Sequence, residues 1–166
     1  VVALRFDPSP PAPRGGRVFL YDAFDTSGHG DAACASCHIF GDFDSLAWDL
    51  GDPNGVVEEN PIEAVSIQGG PLGDFHPMKG PMTTQSLRGM DGAGAMHWRG
   101  DRNGGSTDPF DEGAAFMAFR PAFQGLLGMA APLPVEEMER FRDFILAVRY
   151  PPNPIASPDG TLTTVE

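Results

Sequence analysis

Apolar side chains recur at helical spacing in only a few short stretches of this chain. Phe19, Leu20 and Ala23 share one face within residues 14–24, which predicts a first helix ended by Gly28 and Gly30. The clearest pattern is Val135 to Tyr150, where Met138, Phe141, Ile145 and Val148 form a buried stripe. Pro134 precedes it, Glu136, Glu137 and Glu139 suit its first turns, and Arg149 suits its last. Thr83 to Met90 reads as a shorter helix capped by Thr83 or Thr84 and stopped by Gly89. Pro109 to Ala118 reads as another helix.

Residues 41–80 lack such a period. Asp52-Pro53-Asn54-Gly55 is a turn signal, while Gly69-Gly70-Pro71 and His76-Pro77 break any regular element. Asp101 to Asp108 is a polar, Gly-rich loop. Residues 1–13 read as a Pro-rich linker and 151–166 as a Pro-rich tail, leaving 14–150 as the expected domain.

Composition sharpens this picture. The 166 residues suit one domain with a real core, and 41% are hydrophobic. Gly 21 and Pro 17 are an unusually large share, so loops should dominate outside the helices. A chain with so little regularity often needs a metal or cofactor to organise it.

Charge is lopsided, with 23 acidic against 11 basic residues and a net charge of -12. No Lys or Arg occurs from Val18 to Met78, while acids recur from Asp22 to Asp74. Nucleic acid and anionic membranes are therefore poor partners; the acidic balance reads first as a solvated surface, with a docking face for a basic redox partner as the sharper alternative. No apolar run reaches 18 residues, so no membrane insertion is expected. The opening residues lack an apolar leader, so an export signal would lie outside this sequence.

The chemistry centres on Cys34-Ala35-Ser36-Cys37-His38. A Cys-x-x-Cys-His run reads as a covalent haem attachment site. Two thiols three residues apart lie on one side of a helical turn and can each reach a vinyl group of one haem. His38 then supplies the proximal nitrogen to iron. A thioredoxin-like pair would need a nearby βαβ pattern, and none is visible. Zinc would need more cysteines or paired histidines, and His29, His76 and His97 lack that spacing. A disulfide across three residues would constrain almost nothing.

These residues resemble the c-type cytochromes. A first helix bearing Gly16 and Phe19, the haem motif soon after it, and a last helix bearing Phe141, Phe144 and Tyr150 are similar to the class I plan. The resemblance implies that the first and last helices cross and that one haem c fills the core. The fold class expected is therefore mainly α: a cytochrome c-like helical domain around a covalent haem, with long irregular Gly/Pro-rich loops. A weaker resemblance, to the di-haem peroxidase and MauG-like group, rests on Thr84-Gln85-Ser86-Leu87-Arg88-Gly89 and His97-Trp98-Arg99-Gly100-Asp101. Those enzymes need two haems, and this chain has one motif.

In class I cytochromes the sixth iron ligand is a Met that follows a Pro, a few tens of residues after the motif. His76-Pro77-Met78-Lys79-Gly80-Pro81-Met82 offers two such pairs. Met82 is preferred because it abuts the predicted Thr83–Met90 helix; Met78 is next. Met117 is a third option, in a segment resembling the one that carries the peroxidase group's ligand, although a core Met is the ordinary explanation there. His97 would instead give bis-His iron.

Arg99, Arg102 or Trp98 would bond the haem propionates, since Arg is the best charge-assisted donor to carboxylates. The plainer alternative is a surface turn held by an Arg–Asp pair. Asp42, Asp44, Asp49, Asp52 and Asn54 could hold calcium, but their spacing departs from the EF-hand pattern and a solvated acidic loop is preferred.

Together these features point to a monohaem domain carrying single electrons between redox partners, exported to the periplasm or beyond, either free or as one module of a larger protein. The rival is the haem domain of a peroxidase or oxidase with an open sixth site and His76 or His97 as acid/base. A gas sensor is a third class.

Overall fold

The computed structural model describes residues 6, 8–62, 70, 72–157 and 161. The Gly69 and Pro71 breakers, Glu63 of the acidic run, residues 1–5 and 7 of the linker and residues 158–160 and 162–166 of the tail lie outside the described residues. Helix α1 spans Pro11–Tyr21 and α2 Ala23–Thr26. Two 3-10 turns follow, Cys34–Ser36 and Ile39–Gly41. Strands β1, Ala47–Asp49, and β2, Pro81–Thr83, form one antiparallel pair in which Trp48 faces Met82. Helices α3, Glu112–Met117, α4, Ala122–Gly125, and α5, Val135–Leu146, complete the order.

The expected mainly α, cytochrome c-like helical domain is not what this chain adopts. Only about 29% of the described residues are helical and about 8% are extended and paired. The remainder is loop, held by scattered backbone–backbone bonds and side-chain-to-backbone bonds rather than by regular ladders. The abundance of Gly and Pro is the physical reason: one frees the backbone for left-handed turns and the other removes donors.

Particular boundaries moved for identifiable reasons. Helix α1 starts at Pro11, inside the stretch read as a linker, because Pro is well placed in a first turn where its missing N–H is not needed. Asp22 then ends α1 and caps α2, its Oδ1 accepting from the N–H groups of Phe24 and Asp25. The helix predicted over Thr83–Met90 does not form. Its backbone is bonded elsewhere: Thr84 N–H donates to Leu46 O at 3.1 Å, and Leu87 N–H to Gly41 O at 3.0 Å. Helix α3 is set by Asp111, whose carboxylate accepts from Ala114 N–H at 2.9 Å. Helix α5 stops at Leu146, and the carbonyl of Val148 instead accepts from Gly89 N–H.

Helices α1 and α5 pack directly on each other. A methyl group at Gly16 would collide with the Arg140 carbonyl and with Phe144 Cβ, so glycine here sets how closely the two backbones approach. Phe141 is the centre of the core. Its ring lies 6.1 Å from Phe19, 5.1 Å from Phe116 and 6.1 Å from Phe123. Leu20, Leu133, Met138 and Ile145 are fully buried around it. Cys34, Ala35, Met117 and Phe119 pack on the edge of this same core, which brings the Cys-x-x-Cys-His segment onto it.

Candidate haem-binding site

The motif folds as a single tight turn. Ser36 N–H donates to Ala33 O at 2.9 Å and His38 N–H to Cys34 O at 2.9 Å. The Ser36 hydroxyl accepts from Ala33 N–H at 3.1 Å, closing the turn from the side. Cys34 and Cys37 are both free thiols on this one turn. Burial pushes the Cys34 thiol up to about 11 and raises Cys37 as well. Thiols held protonated in this way are poor redox nucleophiles and poor zinc ligands, both of which need thiolate.

His38 Nδ1 lies 2.8 Å from the Gln85 carbonyl oxygen and 3.3 Å from that of Asp42. Both partners can only accept, so the ring proton sits on Nδ1 and Nε2 keeps its lone pair. Burial lowers the His38 pKa, against the opposing pull of the two carbonyls. The result is a neutral, oriented imidazole, which is the form that binds a metal.

The segment that follows the motif is stitched to residues 84–88. The Arg88 guanidinium donates to Phe40 O at 3.1 Å and pairs with Asp42 at 3.2 Å. The Gln85 contact was invisible in the sequence because it uses a main-chain oxygen, which leaves no side-chain signature.

A second cluster surrounds Asp101, which is only 7% exposed. Its carboxylate meets His97 Nδ1 at 3.0 Å, Arg99 at 2.9 Å and Lys79 Nζ at 3.7 Å. Burial alone would raise its pKa, but the hydrogen bonds from His97 and Arg99 outweigh this and hold the carboxyl far below its ordinary value. His97 takes φ 67 and sets its ring edge-on to Phe119 at 4.7 Å. Arg102 lies over the same Phe119 ring at 5.9 Å. Arg99 also donates to His76 O at 2.7 Å and covers Phe75 at 5.7 Å. The buried Nε atoms of Arg99 and Arg102 have no hydrogen-bond partner.

The predicted site residues thus fall into two groups joined by one loop. Trp98 donates its indole N–H to Thr83 O at 2.8 Å, which engages its single donor. Thr83 ends β2, and Gln85 two residues on holds His38. Met82 sits half-buried in β2 opposite Trp48, whereas Met78 is 47% exposed. Met117 is half-buried and packs against the core, as Cys34 does. Lys79 and the hub role of Asp101 were missed from sequence, although both stood within the polar segments already singled out.

The acidic loop does not gather its carboxylates. Asp44 accepts from Leu46 N–H and Trp48 Nε1–H, Asp49 from Gly51 N–H, and Asp52 from Asn54 N–H. Among the described residues no three His, Cys, Asp or Glu side chains converge as a metal site. No described helix is long and apolar enough to cross a membrane.

A covalent haem fits these residues: two protonated thiols share one turn, a neutral imidazole is oriented beside them, and two buried guanidinium nitrogens await acceptors. No family model matches the chain, and no curated protein does. A solved structure of Kuenenia stuttgartiensis hydrazine synthase pressurised with xenon has a similar chain, with 21% identity and a TM-score of 0.54. The match covers 98% of this chain and 44% of that one, so this chain spans less than half its length. At this identity the likeness shows the fold alone: the chain folds like part of a hydrazine synthase chain.

Proposed function

We propose that this chain is a monohaem c-type cytochrome domain that carries single electrons. The observation that carries the reading is the turn Cys34–His38, which presents two protonated thiols and an imidazole fixed through Gln85 O. Cys34 and Cys37 would each hold the haem by a thioether, the S–H adding across a vinyl group with its hydrogen going to the other vinyl carbon, so that no oxidant would be needed. His38 Nε2 would be the proximal ligand. Bound haem supplies a one-electron ferric/ferrous couple.

The sixth ligand in this reading is a methionine. Met82 is the first candidate, because pairing of β2 with β1 holds it even though the predicted helix beside it is absent. Met117 is the second, because it, like Cys34, packs half-buried against the hydrophobic core. Arg99 and Arg102 are the proposed propionate donors, their buried Nε atoms being without partners. The rival reading, a peroxidase- or oxidase-type haem domain, is favoured by one feature: Asp101 holds His97 by Nδ1 and leaves Nε2 available for proton transfer.

The acidic surface on either side of the motif would steer a basic redox partner toward the haem edge. Covalent haem attachment implies, by resemblance to the cytochromes, an exported chain acting in the periplasm or beyond. Spanning only 44% of the similar chain supports a role as one module of a longer assembly.

The test is expression with haem-attachment machinery. Intact mass should show one haem per chain, and the haem should resist extraction by acidified acetone. In Cys34→Ala/Cys37→Ala it should extract fully. A chain that carries no haem under these conditions would sink the reading.

A further inference from the structure

The chain has four asparagines: Asn54, Asn60, Asn103 and Asn153. An asparagine side chain can be attacked by the main-chain nitrogen of the next residue, and the fold decides which ones are open to this. Pro61 follows Asn60 and Pro154 follows Asn153. Proline has no amide hydrogen to give up, so neither can react in this way. Gly55 and Gly104 follow the other two. Glycine, having no Cβ, offers the least steric resistance to the attack.

The two Asn-Gly pairs are held differently. Asn103 is half-buried, and its side-chain amide is tied at both ends. Its Nδ2 donates to Gly100 O at 2.9 Å, and its Oδ1 accepts from Gly105 N–H at 2.8 Å. The Gly104 N–H also donates to Pro109 O, at 3.4 Å. Asn54 is exposed, in the turn that follows Asp52-Pro53. Its main-chain N–H donates to Asp52 Oδ1 at 2.9 Å. Among the described residues nothing bonds its side-chain amide. One bond restrains the attacking atom: Gly55 N–H donates to Asp52 O at 3.1 Å.

We propose that Asn54 is a site of spontaneous deamidation, and that its conversion to isoaspartate releases the Asp52–Gly55 turn from residues 77–79. The Gly55 nitrogen attacks Asn54 Cγ, and a C–N bond forms. The Gly55 proton passes through water to the departing amide nitrogen, which leaves as ammonia. Water then opens the five-membered imide at either carbonyl, giving aspartate or isoaspartate. No oxidant or reductant takes part, and the step is independent of the haem reading.

The packing of the turn gives the change its consequence. Asp52 N–H donates to Pro77 O at 3.0 Å. A Cβ at Gly55 would lie 2.7 Å from Pro77 Cβ, and one at Gly51 would lie 3.0 Å from the Lys79 nitrogen. There is no space here for added main chain. Isoaspartate inserts a methylene into the main chain between residues 54 and 55, which forces the turn off Pro77. Aspartate adds only a charge, in an exposed loop that already carries Asp49 and Asp52.

The full chain is aged in mildly alkaline buffer, folded and in denaturant, and its peptides are followed by mass. In the folded chain Asn54 should gain the mass of an amide-to-acid conversion. Asn103 should convert about tenfold more slowly, because two side-chain hydrogen bonds must open first. In denaturant the two rates should converge. The aged folded chain should melt below the fresh one, whereas Asn54→Asp should melt with the fresh parent. Asn54→Gln, aged in parallel, should keep its melting temperature. Equal conversion of Asn54 and Asn103 in the folded chain would overturn the site. So would conversion of neither there while both convert in denaturant. If the aged chain melts with the fresh one, or aged Asn54→Gln loses as much as the parent, release of the turn is overturned.

Discussion

His38 Nδ1 lies 2.8 Å from the carbonyl oxygen of Gln85, 47 residues later in the chain. The contact fixes the imidazole through backbone alone, so the side chain of residue 85 is irrelevant to it. Gln85→Ala should therefore leave stability within about 0.5 kcal/mol of the parent and leave the haem spectrum unchanged. His38→Ala should lose the proximal nitrogen and convert the ferric spectrum to a form that binds added imidazole. A spectral change in Gln85→Ala would show that the side chain, not the carbonyl, orients His38.

The proposed methionine ligand can be tested by single substitutions in the haem-loaded chain. Met82→Ala is expected to abolish the ferric charge-transfer band of methionine ligation and to lower the potential, since Met/His ligation raises it. Met78→Ala should leave both intact. If Met117→Ala removes the band while Met82→Ala retains it, the ligand comes from α3 instead. If none of the three removes it, methionine ligation is wrong.

Asp101 makes stability depend on pH. Its folded-state pKa is depressed well below the ordinary carboxylate value by His97 and Arg99, which outweigh its burial. A depressed carboxylate stabilises the fold above its unfolded pKa, about 3.9. That contribution is lost as pH falls below this point toward the folded value. Thermal unfolding of the parent should thus drop steeply between about pH 5 and pH 2. Asp101→Asn should unfold at a lower temperature at pH 7 and show a shallower acid slope. Parallel pH profiles for parent and variant would refute the link.

Much of the α1–α5 core was legible in the sequence, because the Met138, Phe141 and Ile145 stripe is local information. Gly16 entered only through the resemblance to the class I cytochromes; nothing local marks it as the point where α1 meets α5. The segment Thr83–Met90 was misread as helix for the opposite reason. Its caps suited a helix, but Leu46, Gly41 and His38 claim its backbone groups, and those partners lie far away in sequence. The Cys34–His38 turn was legible because its chemistry is contiguous. The cluster around Asp101 was only half legible: Arg99 and Arg102 lie beside Asp101 in the chain, whereas Lys79 reaches it through folding. A sequence so rich in Gly and Pro hides long-range pairing, since its loops are held by isolated backbone and side-chain bonds with no period to read.

Two adjacent glycines in α1 should respond oppositely to the same substitution. At Gly15 a new methyl would meet only Arg140 Cδ, at 3.8 Å, an ordinary contact. Gly15→Ala should therefore stabilise by about 0.4–1 kcal/mol, through lost freedom in the unfolded chain. At Gly16 the methyl meets the Arg140 carbonyl and Phe144 Cβ, so α1 must lift from α5. Lifting α1 also disturbs Phe19 and Leu20, which pack into the Phe141 core. Gly16→Ala should therefore destabilise by about 1–3 kcal/mol, the range for overpacking. Ile145→Ala, at 0% exposure, supplies the scale, with an expected loss of about 2–5 kcal/mol. Denaturant midpoints of the three variants check the order. Equal effects at positions 15 and 16 would mean that the helices do not meet at Gly16.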